Sequence, residues 1–239
     1  LDAVGTVAPV QGVTVSADMG GVVDAIRFES GARVTAGQVL VTLDGRQERA
    51  ALEGAVAQRE LAKAQLARSK KLLETQSVSQ ADYDLVEAQY QIAEAAVGQM
   101  QAALDRKTIR APFTGLAGIR QVNVGQYLHS GDPVVPIQSL DPVFVNFAVP
   151  QQQILELRVG SLVEVSADTA RTVRAKGRVT AINPVVDEST RNVQVQATLA
   201  NPGGRFRAGM FVDVRLGMGG ARRVIAVPIS AVNYAPYGN

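Results

Sequence analysis

Two stretches of this chain repeat one another at a constant offset of 94 positions, and a long helical block separates them. Ala17, Gly21, Gly31 and Gly37 have identical counterparts in Ala111, Gly115, Gly125 and Gly131. Between the glycines, Val34 matches Leu128, Leu40 matches Val134, Val41 matches Val135 and Leu43 matches Ile137. Glycine suits tight turns, where a side chain would clash at positive φ. The apolar residues between the turns come in short β-rich runs. Each copy therefore reads as about four short strands, and two copies would pack face to face, each covering the apolar side of the other. The fold that follows is a β domain split in two, with the helical block inserted between its halves.

The block runs from about Arg46 to Arg106, rich in Ala, Gln, Glu, Leu and Lys, without proline and with glycine only at Gly54 and Gly98. Its second half alternates four and three residues through Val86, Tyr90, Ala93, Val97, Met100 and Leu104, the period of a coiled-coil seam. In the first half Leu52, Val56, Ala62, Leu66 and Leu73 lie roughly on one stripe, which Arg59 breaks. Thr75, Gln76, Ser77, Val78 and Ser79 mark a reversal. Ser79 followed by Asp82 is an N-cap pattern, with an acid in the first turn opposing the helix dipole. The block is expected to form two antiparallel helices of roughly 28 residues, each about 42 Å long. Such a hairpin buries little by itself and is stable largely through partners.

Beyond residue 142 the pattern returns to strands, expected at 143–149, 162–166, 174–182, 193–199 and 211–216 and separated by Pro, Gly, Asn and Asp turns. Five short strands at this spacing suggest a small closed barrel, whose sheet residues 4–7 could complete. Residues 150–158 can form a short helix with Pro150 at its start and Gly160 after its end. Residues 224–232 read as the start of another strand pair.

Chemistry is sparse. With no cysteine, disulfides, thiolate metal sites and thiol nucleophiles are excluded. His129 is the only histidine and reads as a surface residue in a turn. The four methionines are scattered, which disfavours a soft-metal site. Asp82 with Asp84 and Asp187 with Glu188 read as capping and turn residues rather than acid–base pairs, which would need a cleft that shifts a pKa. The 24 basic and 22 acidic residues nearly balance and are dispersed, unlike a nucleic-acid footprint. No run approaches the roughly 20 apolar residues that span a bilayer. A swinging-arm carrier would need a lysine at the turn between the half-motifs; that junction is Asp44-Gly45-Arg46, and Lys107 stands at a helix end. No enzyme activity, cofactor or metal is expected.

Three features together resemble the periplasmic adaptors, or membrane fusion proteins (HlyD-like), of resistance-nodulation-division (RND) efflux systems, over nearly the whole chain. They are the split lipoyl halves, with TIRAPFTGLAG opening the second at Thr108; the spacing of Arg68, Leu72 and Ser79 at the hairpin tip; and the barrel stretch INPVVDESTRNVQVQATLANPGGRFRAGMFVDVRLG from Ile182. The resemblance implies an elongated multidomain α+β protein. Residues 10–45 and 107–140 would form a split lipoyl/biotinyl-like β-sandwich, 46–106 the hairpin, and 1–9 with 141–217 an antiparallel β-barrel. Residues 218–239 would begin a membrane-proximal domain.

The resemblance further implies a periplasmic linker between an inner-membrane RND transporter and a TolC-like outer-membrane channel, exporting drugs or other small compounds. It implies a trimeric or hexameric ring and an inner-membrane tether in an N-terminal segment that the sequence lacks. Arg68, Leu72 and Ser79 would contact the channel; Arg68 offers a fork of donors, Leu72 an apolar knob, and Ser79 a cap, alone or with a contact. Heavy-metal adaptors also resemble the family but are rich in Met or His ligands, so organic cargo is favoured. The alternatives are an adaptor for an ABC-type exporter and, from another class, a lipoyl or biotinyl carrier domain.

Overall fold

A computed structural model describes residues 2–167 and 174–217. The strand expected at 224–232, and with it the start of a further domain at 218–239, lies outside the described residues. The chain divides into two compact units, Pro9–Pro142 and Leu1–Ala8 with Val143–Asn239.

The first unit contains the repeat. It takes the second half of β1 (Asp2–Ser16) and contains β2 (Gly21–Ile26), β3 (Arg33–Val34), β4 (Val39–Leu43), β5 (Thr108–Arg110), β6 (Gly115–Ala117), β7 (Tyr127–Leu128) and the first part of β8 (Pro133–Pro150). Face-to-face packing of two separate copies is not what forms. The copies interleave: β5, β4, β2 and β7 make one sheet in that order, and β3 pairs β6, which pairs β8. Strands of two or three residues carry too few ladder bonds to make a sheet within one copy. Each is completed by a strand of the other.

The interleaving obeys the offset residue by residue. Gly21 and Val22 face Leu128 and Tyr127, while Gly115 and Leu116 face Val34 and Arg33. The Gly37 amide donates to the Ala111 carbonyl and the Gly131 amide to the Ala17 carbonyl, both at 2.8 Å. The Gly31 amide donates to Ala117 and the Gly125 amide to Val23. The unit is thus a pseudo-twofold pair whose two halves make the same bonds to each other.

Four of the repeated glycines adopt the left-handed conformation, Gly31 and Gly125 at φ +82° and +83°, Gly37 and Gly131 at +79° and +94°. Gly21 and Gly115 are different. They open strands, and their constraint is close approach: a Cβ on Gly115 would lie 2.6 Å from the Gln138 carbonyl oxygen. Every matched apolar pair, Val34 with Leu128, Leu40 with Val134, Val41 with Val135 and Leu43 with Ile137, is buried in one core together with Val23, Ile109 and Val122.

From β4 the chain passes into α1 (Arg46–Glu74) and returns through α2 (Gln80–Asp105), two helices packed against each other.

The second unit follows a strand alternation. β9 (Leu162–Ala167), β10 (Arg174–Val186), β11 (Asn192–Leu199) and β12 (Phe211–Leu216) join the first half of β1 and the second half of β8 in the order β1-β12-β9-β10-β11-β8. β1 also pairs with β8, which closes the order on itself. Gly5, a buried position, lies against Val145 and Asn146 of β8 and Val214 of β12. Every second residue is buried, Val143, Val145, Phe147 and Val149 on β8 and Val193, Val195, Ala197 and Leu199 on β11, as the period of two requires.

The expected helix at 150–158 is not formed. Pro150 ends β8, and a single 3₁₀ turn, Ile154–Glu156, follows. Nine residues offer too few bonds to offset helix nucleation, and i to i+3 bonds such as Leu157 to Ile154 take their place.

The two most distinctive barrel turns are built by side chains. The Asp187 carboxylate accepts from the Ser189 and Thr190 amides and the Ser189 hydroxyl, which hold it below the usual carboxylate range, the Ser189 hydroxyl contributing most. The buried Asn201 amide group donates to the Phe206 carbonyl and accepts from the Phe206 amide, clamping the loop through Gly203 and Gly204, both at positive φ.

Candidate partner-binding surface

Alanine, leucine and long straight side chains favour helix at low entropic cost, but it is the seam between the two helices that holds α1 and α2 together. On α2 the less exposed residues include Val86, Tyr90, Ala93, Val97, Met100 and Leu104, the expected seam. On α1 they are Glu48, Leu52, Ala55, Val56, Arg59, Ala62, Leu66, Ser69 and Leu73. Apart from Val56 these fall at successive intervals of four and three. Arg59 therefore does not break the stripe; it occupies a seam position, half-buried, with its guanidinium on Glu60 at 2.6 Å. Burial raises the Tyr90 hydroxyl pKa, with the Glu94 carboxylate adding to it and the Arg59 charge acting against it. Ser69 is buried outright. Spacing alone could have placed both, had polar residues been admitted to the seam.

The reversal is tightly specified. Gln76 takes a left-handed φ of +55°, and the Ser77 amide and Thr75 hydroxyl both donate to the Leu72 carbonyl, at 2.8 and 3.0 Å. Ser79 caps α2: its hydroxyl accepts from the Asp82 amide and donates to the Asp82 carboxylate at 2.6 Å. The Asp82 carboxylate in turn accepts from the Ser79 amide, completing a capping box.

Arg68 and Leu72 lie one helical turn apart in the last turns of α1, on a shared face. Both are exposed, Leu72 to 46%. The same face carries Leu61 and Gln65, while Leu85 and Ile92 are exposed on α2, Ile92 to 70%. The Ser79 hydroxyl is committed to its cap, so what it offers outward is a small side chain at an exposed bend.

The remaining candidates are structural. Asp84 accepts from the Gln80 amide group at 2.7 Å. His129 is an exposed ring packed edge-on against Tyr127 and 3.5 Å from the Asp132 carboxylate. Lys107 is buried, with its ammonium on the Glu48 carboxylate and the Gly20 carbonyl, both at 2.9 Å. A lysine so enclosed cannot swing as a carrier arm. Among the described residues no cluster of metal-ligating side chains is present, and no helix is long and apolar enough to cross a membrane.

Comparison with known proteins bears on the same two units. Residues 11–138 match the family described as the RND membrane fusion protein barrel-sandwich hybrid domain, and residues 142–220 the CusB-like β-barrel domain. A Haemophilus influenzae protein of uncharacterised function is 34% identical over 239 residues, covering all of this chain and 63% of its own length. The multidrug resistance protein MdtA of Proteus mirabilis is 30% identical over 263 residues, covering all of this chain and 64% of its own. The chain thus spans a little under two thirds of the length of the curated relatives it matches. A crystal structure of a MacA–MexA chimera carrying the Pseudomonas aeruginosa MexA α-hairpin superposes with a TM-score of 0.81 over 91% of this chain and 81% of the other. At 21% identity that likeness shows a shared fold. With more than half of its residues matched to the barrel-sandwich hybrid and most of the rest to the barrel, the chain belongs to the RND membrane fusion protein family.

Proposed function

We propose that this chain is the adaptor of a tripartite efflux pump, linking an inner-membrane RND transporter to an outer-membrane channel of the TolC type for export of drugs or other small organic compounds. The observation that carries the reading is the hairpin's surface: one seam is covered, while Leu61, Leu72, Leu85 and Ile92 remain exposed on helices that have no further packing layer among the described residues. Exposed apolar stripes on a pair of long helices fit docking against other helices. Multidrug resistance is what the name of the MdtA relative states, and the RND assignment of the transporter rests on the family matched over residues 11–138. The adaptor works by reach and contact and performs no bond chemistry.

In this reading Arg68 and Leu72 present a donor fork and an apolar knob to the channel's helices beside the bend at Ser79. Self-association into a trimeric or hexameric ring, a periplasmic location and tethering to the inner membrane belong to the same proposal. So does the division into a sandwich at 10–45 and 107–140, a hairpin at 46–106, a barrel at 1–9 and 141–217, and a further domain beginning at 218–239.

The test is Arg68→Asp or Leu72→Ser in the full-length protein, read as drug susceptibility of cells that depend on the pump. Export should fail while circular dichroism and melting temperature stay unchanged, because both side chains are exposed and far in sequence from either β core. Unaltered drug resistance would remove the tip as the docking surface.

A further inference from the structure

The hairpin joins the sandwich through two short junctions, Asp44-Gly45 leading into α1 and Arg106-Lys107 leading out of α2. A long lever on two junctions has its pitch set by whatever spans its root. One spanning contact is exposed: the Arg46 guanidinium forks onto the Asp44 carboxylate, and that hydrogen bonding draws the carboxyl down to about 2. Exposed pairs of this kind hold little.

The other contact is enclosed. Lys107 follows the C-cap of α2, and its backbone carbonyl accepts from the Leu43 amide of β4. Its ammonium joins the Glu48 carboxylate, in the first turn of α1, to the Gly20 carbonyl just before β2. The two side chains are only 10% and 19% exposed, so water cannot replace either partner freely. Gly21 makes room for the end of the lysine arm, since a Cβ there would lie 3.3 Å from Nζ, and the arm passes Gly45 at ordinary contact distance. Glu48 is also the first member of the α1 seam, so the contact that ends the helix pairing is the one that grips the sandwich. Hydrogen bonding to Lys107 lowers the Glu48 pKa, which keeps the partner charged.

We infer that Lys107 and Glu48 are positioning residues that lock the hairpin at one angle on the sandwich and thereby aim its tip. The leverage is large. A rotation of about 10° at the root displaces the end of a helix of about 43 Å by about 7 Å, more than the reach of a side-chain contact. Removing one member of an enclosed pair leaves the other charge uncompensated, so the root relaxes to expose it. The inference rests on contacts inside one unit and stands whether or not the tip meets a channel.

The protein has no cysteine, so paired labels can be placed directly. Nitroxides at Lys70→Cys on α1 and Ala36→Cys on the sandwich, both exposed positions, report the hairpin angle by pulsed dipolar spectroscopy. The parent protein should give one narrow distance distribution. Lys107→Met and Glu48→Gln should each widen it at least twofold, whereas Asp44→Asn should leave it narrow. A merely structural pair would lower the melting temperature without changing the width. If Lys107→Met does not fold, the milder Glu48→Gln decides the matter. An unchanged width in a folded variant overturns the inference, and so does failure of both variants to fold, which would make the pair part of the core and not a setter of angle.

Discussion

The sandwich and the hairpin bury their residues in opposite ways. The sandwich packs fourteen residues into one core, ten of them at 0 or 1% exposure, and its two halves make the same bonds to each other. The hairpin, at more than fifty residues, buries only Ala62, Ser69 and Ala93. Burial of apolar area is the main favourable term in folding, so the first region can maintain itself and the second depends on its seam, its root and whatever docks on it. The contrast separates where stability resides from where contact is proposed.

The comparison breaks most visibly in the core. Leu40→Ala, at a site with no exposure, should cost about 2–5 kcal/mol, read by denaturant melts. If the loss is below about 1 kcal/mol, the sandwich is not the self-sufficient region described.

A sharper version uses one substitution in both places. Gly115→Ala places a methyl 2.6 Å from a backbone oxygen that cannot move away, and overpacking of this kind costs about 1–3 kcal/mol. Gly54→Ala on α1 meets nothing within 4 Å and should add about 0.5–1 kcal/mol through helix propensity. Equal signs in the two melts would contradict the distinction between packed strand and open helix.

The smallest effect is on pH. The Glu48 carboxyl, held below its ordinary value of 4.5 chiefly by its hydrogen bond to Lys107, stays charged in the folded protein to lower pH than in the unfolded chain. Its contribution is complete above that ordinary value and is lost as pH falls through the folded one. Melting temperature followed from pH 6 to pH 3 should therefore fall less in Glu48→Gln than in the parent protein. Parallel curves would mean that the pair contributes nothing to folding.

Much of this was legible in the residues. The glycines carried the repeat because a left-handed turn, at Gly31, Gly37, Gly125 and Gly131, or a close approach, at Gly21 and Gly115, leaves almost no other choice, and Ser79 with Asp82 marked the start of α2. The interleaving of the two copies was not legible, since short strands say nothing of which partner completes them. Arg59 and Ser69 were misread or missed because a seam was sought among apolar residues only, whereas a pair of long helices tolerates a long polar side chain whose end reaches the surface, as in Arg59, and a small one enclosed between the helices, as in Ser69. Lys107 was set aside as a modification site because it stands at a helix end, and only the three-way contact with Glu48 and Gly20 revealed its place. The tip residues Arg68, Leu72 and Ser79 were singled out by the family resemblance; the structure adds that Arg68 and Leu72 are exposed on one face and that the Ser79 hydroxyl is already engaged.

The central claim is that this protein acts by touching a partner with the end of its hairpin. A photo-reactive phenylalanine derivative in place of Leu72, in the full-length protein in living cells, tests it most directly, with the same residue in place of the exposed Ala36 on the sandwich as control. The account predicts an ultraviolet-dependent adduct with an outer-membrane channel from position 72 and none from position 36. No adduct from position 72, or equal adducts from both, would contradict it.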